Sequence, residues 1–152
     1  MAGKRQGVAS YRELLVYQKV RTLALEIFQA TKRFPKEEMY ALTDQIRRSS
    51  RSIGAQIAEA WAKRRYERHF VSKLSDADGE LQETQHWIGI AFDCGYWDRS
   101  TATALRTQCE EIGRLLGGMI EKADQFCVTD TKSLREVPVE YVASQFSVDG
   151  DQ

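Results

Sequence analysis

Gln45-Ile46-Arg47-Arg48-Ser49-Ser50-Arg51-Ser52-Ile53-Gly54-Ala55-Gln56-Ile57-Ala58-Glu59-Ala60 is a stretch with two faces. Leu42, Ile46, Ser49, Ile53 and Ile57 recur at steps of four and three, which lines them along one side of a 3.6-residue helix. Their neighbours Ser50, Gly54, Ala55 and Ala58 are small. A stripe of this kind is buried only when other helices lie lengthwise against it, so partners must exist on either side in the chain.

Three further stretches keep the same rhythm. Before it, Val16, Val20, Leu23, Ile27, Ala30 and Phe34 run until Pro35, whose ring disfavours helix in the residue it follows. After it come Phe70, Leu74, Ala77, Leu81, Thr84, Ile88 and Ala91, ended by Cys94-Gly95. Last are Ala102, Leu105, Cys109, Ile112, Leu116, Met119, Ala123 and Phe126, with Asp98 or Ser100 placed to accept an orphan backbone N–H at the start. Helices are therefore expected over residues 12–34, 40–63, 67–93 and 98–126. Each is roughly 35–40 Å long at 1.5 Å per residue. Short loops between long helices force antiparallel neighbours, so the expected fold is all-α, an up-down-up-down four-helix bundle over residues 1–127. Gly117-Gly118 interrupts the fourth helix at a cost of about 1 kcal/mol per glycine, which a close crossing or a kink would explain. The acidic tail, residues 128–152, holds an apolar island from Val137 to Val148 with two places to go, its own bundle or a neighbouring subunit.

Bulk composition agrees with one ordinary domain. The chain has 152 residues, 42% of them hydrophobic and 29% charged, which is too apolar for disorder. The basic start Met1-Ala2-Gly3-Lys4-Arg5 is not followed by the apolar run of a secretory signal, and no stretch approaches a membrane span. Cys94, Cys109 and Cys127 are odd in number and fit neither a zinc site nor a disulfide framework, so a reducing cytoplasm and no membrane partner are expected.

Catalytic chemistry finds little support. His69 and His86 are the two histidines, neither lies in a nucleophile motif, and no Gly-rich phosphate loop is present. Glu83-Thr84-Gln85-His86 has the Glu-x-x-His spacing of di-iron bundles, but a second such motif is missing, because Tyr66 stands three residues before His69. The expectation is a protein with no catalytic residues, no metal and no cofactor. Glu59, in the apolar run Ile57-Ala58-Glu59-Ala60-Trp61, should be paired with an arginine of a neighbouring helix or subunit.

Charge is more telling. The net charge is zero, yet residues 1–34 carry seven basic and two acidic side chains, and residues 43–68 carry seven and three. Residues 69–93 carry one basic and five acidic, and the tail from Cys127 two and five. Arg47, Arg48 and Arg51 sit on the second helix, and Lys63, Arg64, Arg65 and Arg68 cluster at the turn into the third. With Trp61 and Tyr66 among them, these seven suit phosphate contact and base stacking. The bland counterpart is a solvated face whose arginines pair with acids of the third helix.

Several of these segments together resemble a known family: Leu15-Val16-Tyr17-Gln18-Lys19, Phe34-Pro35, Gln45 through Ile53 with Ile57-Ala58-Glu59-Ala60, and Glu80 through Trp87 followed by Gly95-Tyr96. It is the four-helix bundle family that includes proteins encoded in intervening sequences of bacterial 23S ribosomal RNA genes and the accessory variability determinant of diversity-generating retroelements. The likeness spans residues 11–126, with mild departures at Gly54, Gln56 and Ala60 that bear on a local bend of the second helix. It implies a homopentamer arranged as a barrel around a central opening. In the retroelement branch it implies a basic surface that binds nucleic acid, and a reverse transcriptase as partner.

The function expected is a non-enzymatic, nucleic-acid-binding accessory protein, sequence-tolerant toward RNA or DNA, and the alternative is a structural adaptor for another protein. Assembly has a physical argument too. Tyr17, Ala24, Phe28 and Thr31 form a second line on the first helix, and Trp87 and Phe92 lie off the third helix's seam, so Tyr17, Phe28, Trp87 and Phe92 are the candidate interface residues of a cyclic homo-oligomer.

Overall fold

Ser10 sets where the first long helix cannot begin. Its hydroxyl accepts the Arg12 N–H while Glu13 reaches back to the Ser10 and Ala9 N–H groups, and this capping box winds Tyr11–Glu13 into a single 3₁₀ turn. Leu14 then leaves helical space, at ψ 132°, and only after it does α1 (Leu15–Ala30) start. In the computed structural model, which describes residues 3–128 and 133–144, α1 is followed by α2 (Asp44–Ala62), α3 (Glu67–Asp93), α4 (Arg99–Glu121) and a short α5 (Ala123–Phe126). The chain is therefore all-α in class. Two three-residue strands, β1 (Arg5–Gly7) and β2 (Glu136–Pro138), are its only sheet among the described residues.

The first helix is shorter at both ends than its apolar rhythm suggests. Thr31 stops it, because its hydroxyl donates to the Ile27 carbonyl at 2.7 Å, and the Ala30 carbonyl is taken by the Trp97 indole N–H at 3.1 Å. Residues 31–34 form a turn, and Phe34 packs against Tyr96 and Trp97, with ring centroids 5.3 and 5.1 Å away. A 3₁₀ turn at Lys36–Glu38 and a π-helical turn at Met39–Thr43 lead into α2, which runs unbroken through Gly54, Gln56 and Ala60. At the end of α3 the chain turns on Gly95, whose φ of +76° a side chain would disfavour. Asp98, not Ser100, caps α4 by accepting the Thr101 N–H at 2.7 Å.

The seams read from the sequence are the buried faces. Every residue of the four-and-three seams of the second, third and fourth helices is buried, and on the first only Ala30 and Phe34 remain partly exposed; of the small neighbours on the second, Ser50 and Gly54 are buried, Ala58 is half-buried and Ala55 is exposed. Each long helix packs on the next, and α1 also packs on α4, where Lys19 pairs with Glu111 at 2.8 Å and Glu26 accepts from Gln108. The contact between α2 and α3 is the most extensive. There Ser49 and Thr84, both fully buried, share a hydrogen bond of 2.9 Å.

The two ends of the described chain meet. β1 and β2 pair antiparallel, Gln6 opposite Val137, and flanking bonds extend the ladder: Val139 N–H to the Lys4 carbonyl, Val8 N–H to Arg135, Ala143 N–H to Glu13. The apolar island thus docks on its own chain as far as Ser144, with Val137, Tyr141 and Ala143 buried; its last residues, 145–148, lie outside the described part. Tyr141 stands edge-on to Phe126 and directly over Gly118, where an added methyl would overlap the tyrosine hydroxyl. Gly117, one residue earlier, faces open space.

This asymmetry separates two substitutions with the same intrinsic helix gain. Gly117→Ala should raise stability by about 0.5–1 kcal/mol. Gly118→Ala should lower it by about 1 kcal/mol or more, because Tyr141 must move. Adding Tyr141→Phe to Gly118→Ala should recover part of the loss. Urea midpoints of the four chains measure this, and equal effects of the two alanines would show that Tyr141 is not seated on Gly118.

Candidate nucleic-acid interface

Burying Ile46, Ile53 and Ile57 turns the opposite side of α2 outward, and with it Arg47, Arg48 and Arg51. These three arginines line one open groove of about 570 Å³ together with Met39, Tyr40, Thr43, Asp44, Ser52 and Ala55. Their guanidinium groups are not equivalent. Arg47 is half-buried: its Nε donates to the Thr31 hydroxyl at 2.8 Å, and its guanidinium lies 4.7 Å from the centre of the Phe28 ring. Arg51 is exposed and approaches the same ring at 5.5 Å. Arg48 crosses to α3, meeting Glu83 at 2.6 Å and Glu80 at 3.8 Å, so one member of the basic set does pair with an acid of the third helix.

That crossing tunes the two carboxylates in opposite senses. Burial lifts Glu80 above its ordinary range and the Glu83 charge adds to the lift, while Arg48 opposes both. At Glu83 burial also pushes upward, but hydrogen bonds from the Trp87 indole and from Arg48 outweigh it and hold the group low.

At the α2–α3 turn the four remaining cations divide. Arg64 lies flat on Trp61, 3.3 Å from the ring centre, and donates to the carbonyls of Trp61 and Leu134. Burial lowers its pKa to about 10, against a raising effect of Cys127. Lys63, Arg65 and Arg68 are exposed and make no ion pair among the described residues, and Tyr66 beside them is 62% exposed. Of the seven cations expected, the structure brings Arg47, Arg48 and Arg51 into one groove, leaves Lys63, Arg65 and Arg68 exposed at the α2–α3 turn, and draws Arg64 inward to the Leu134 carbonyl.

Tyr40 was not among the expected site residues. It is 89% exposed at the groove's edge. The signal was present in its position, an aromatic off the Leu42–Ile46 seam and two residues before it.

The four candidate interface residues are all half-buried. Tyr17 meets Tyr11 edge-on at 4.8 Å and packs over Gly54. Phe28 is covered by Lys32, Arg47 and Arg51, Phe92 by Arg99, and Trp87 lies against His86. Thr31, from the same line as Tyr17 and Phe28, is buried as the acceptor for Arg47. Glu59 is exposed, and its partner is Lys73 of α3 at 2.9 Å in place of the expected arginine, because the helix turns it away from the apolar neighbours that flank it in sequence.

Among the described residues no three or more His, Cys, Asp or Glu side chains gather as a metal site, and no helix is long and apolar enough to cross a membrane. The three cysteines are free thiols; burial pushes Cys109 up to about 12 and Cys127 to about 11, while Cys94 is exposed.

A family model described as 23S rRNA-intervening sequence protein matches residues 12–118. A solved structure from Bacteroides thetaiotaomicron, a protein of unknown function from the S23 ribosomal protein family, is similar at 27% identity and a TM-score of 0.62. The match covers 70% of this chain and 99% of that one. No curated protein matches. The matched region holds the α2 groove and the α2–α3 turn, whereas α5, β1 and β2 lie beyond residues 12–118.

The Arg48 bridge yields a pH signature. Glu83, held low in the folded chain, adds stability that is complete above the ordinary carboxylate value of about 4.3 and is lost as pH falls through its depressed value. Glu80, raised, subtracts stability once pH climbs past that ordinary value. Arg48→Met should then cost about 0.5–1 kcal/mol at pH 7, the range of a solvent-exposed pair, and progressively less as pH falls through the depressed Glu83 value. Urea midpoints across pH test this; a gap that persists undiminished into acid contradicts the assignment.

Proposed function

The chain belongs to the 23S rRNA-intervening sequence protein family, and from that premise we propose that it is a non-enzymatic, oligomeric accessory protein that binds nucleic acid with little regard to base sequence. The observation that carries this reading is the α2 groove, in which three guanidinium groups and an exposed tyrosine share one open space. Guanidinium forks match phosphate oxygens, and phosphate contacts hold a strand without reading its sequence. Arg51, Lys63, Arg65 and Arg68 make no ion pair among the described residues, so a polyanion meets them there without breaking one. The Arg48 pair with Glu83 is open to solvent and exchangeable for phosphate. Arg64, seated on Trp61, contributes its charge at longer range.

Assembly completes the proposal. The four long helices form an up-down-up-down bundle, and copies of it close into a ring, with five subunits as the resemblance implies. Tyr17, Phe28, Trp87 and Phe92 are the proposed contact residues, and Leu25, 60% exposed, adds apolar surface on α1, the helix of Tyr17 and Phe28. A ring repeats one heterologous contact and presents every α2 face at once, which raises avidity for a polyanion. A reverse transcriptase as protein partner, and a cytoplasmic location, follow from the resemblance and from the cysteine chemistry respectively. The competing reading, an adaptor for another protein, draws on the same exposed Leu25 and on the zero net charge.

Retention of labelled RNA and DNA at low salt tests the proposal. Wild type should bind both, with affinity falling steeply as salt rises. Joint charge reversal of Arg51, Lys63, Arg65 and Arg68 should weaken binding on the order of 100-fold and flatten the salt slope. Light scattering should give a mass several times 17.4 kDa. A wild type that retains no nucleic acid, or a reversed variant that binds equally well, overturns the binding reading; a monodisperse monomer overturns the ring.

A further inference from the structure

The α2 groove has features that a general phosphate-binding face does not need. It is built on a π-helical turn, Met39–Thr43, a rare departure from α-helix that is found frequently at functional sites. That turn carries Tyr40 out to 89% exposure beside three guanidinium groups. It also leaves Thr43, a groove residue only 7% exposed, with a hydroxyl that has no hydrogen-bond partner. An exposed ring on a charged helix loses nothing by being replaced with a small polar residue, unless a flat apolar surface is to rest on it.

The order of groups along the helix axis is itself directional. Tyr40 comes first, Asp44 one turn later, Arg47 and Arg48 in the next turn, and Arg51 after that. The carboxylate repels phosphate from the tyrosine end and accepts N–H donors of the kind a base edge carries. The guanidinium groups attract phosphate to the other end.

Resting on the nucleic-acid reading above, we infer that this groove holds an unpaired nucleotide of a single strand, its base stacked on Tyr40 and its phosphate on Arg48 and Arg51. In a duplex both faces of each base are covered by neighbouring pairs, so a protruding ring finds no bare face; in a single strand every base offers one. The inference selects single-stranded over double-stranded nucleic acid, and it makes Tyr40 the residue that discriminates.

Fluorescence anisotropy at low salt decides it, with a labelled 12-nucleotide strand as one probe and the same strand annealed to its complement as the other. Wild type should bind the single strand about tenfold more tightly than the duplex, the order expected for one base on one ring. Tyr40→Ala should remove that excess and leave duplex affinity unchanged. Tyr40→Phe, which keeps the ring, should keep the preference. Circular dichroism of the exposed-site variants confirms that the helices are intact. If Tyr40→Ala leaves single-strand affinity at the wild-type level, or weakens strand and duplex alike, the inference falls while polyanion binding stands. If wild type binds neither probe, the inference and the functional reading fall together.

Discussion

Everything on the outer face of α2 depends on how closely α2 and α3 approach on the inner one. Ser49 and Thr84 meet there at 2.9 Å with no exposure to solvent, and each hydroxyl also has a carbonyl of its own helix within reach, Ile46 for Ser49 and Glu80 for Thr84, so both stay satisfied in a seam only small side chains can fill. Longer side chains at either position would hold the helices apart. The same contact fixes the rotation of α2 about its axis, so the seam that buries Ile46, Ile53 and Ile57 is also what aims Arg47, Arg48 and Arg51 at the groove. Arg48 stands at the edge of that seam, and its reach to Glu83 ties the outer face to α3. Core packing and site geometry are in this sense one constraint read from two sides.

The periodic part of the fold was legible because burial has a period. Steps of four and three mark the helix faces, and the residues so marked on α2, α3 and α4 are buried without exception. Boundaries were less legible, since they are set by single hydrogen bonds that leave no rhythm. Thr31 ends α1 before Pro35 is reached, through a hydroxyl bond and an indole from sixty-odd residues away. Asp98 and Ser100 were equivalent candidates until the Thr101 N–H chose between them. The same limit applies to the site. Seven cations could be picked out by type, but not which of them the chain would use for itself.

That internal use sets which charges the molecule has left for a ligand. Arg47 serves the end of α1, Arg48 serves α3, and Arg64 serves the tail, each through a contact whose partner lies far away in sequence. Sequence spacing shows which side of a helix a charge occupies; it says nothing of a carbonyl seventy residues away. Tyr40 is the converse case. As an isolated aromatic it carried no pattern, and the π-helical turn that exposes it is a detail of backbone winding that hydrophobic periodicity does not encode.

The antiparallel ladder between β1 and β2 joins the two ends of the described chain into a loop. Its bonds link residues about 130 positions apart, so they are formed only after the helices have brought the ends together, and fraying at either end loosens the other. Arg64 registers the state of that clasp. While the clasp is shut, the Leu134 carbonyl and the Trp61 ring take its guanidinium, and the α2–α3 turn shows the solvent one cation fewer than its sequence contains. The surface charge of this turn is therefore a property of the chain ends, set at a distance by segments that lie outside residues 12–118, the part that the family model matches.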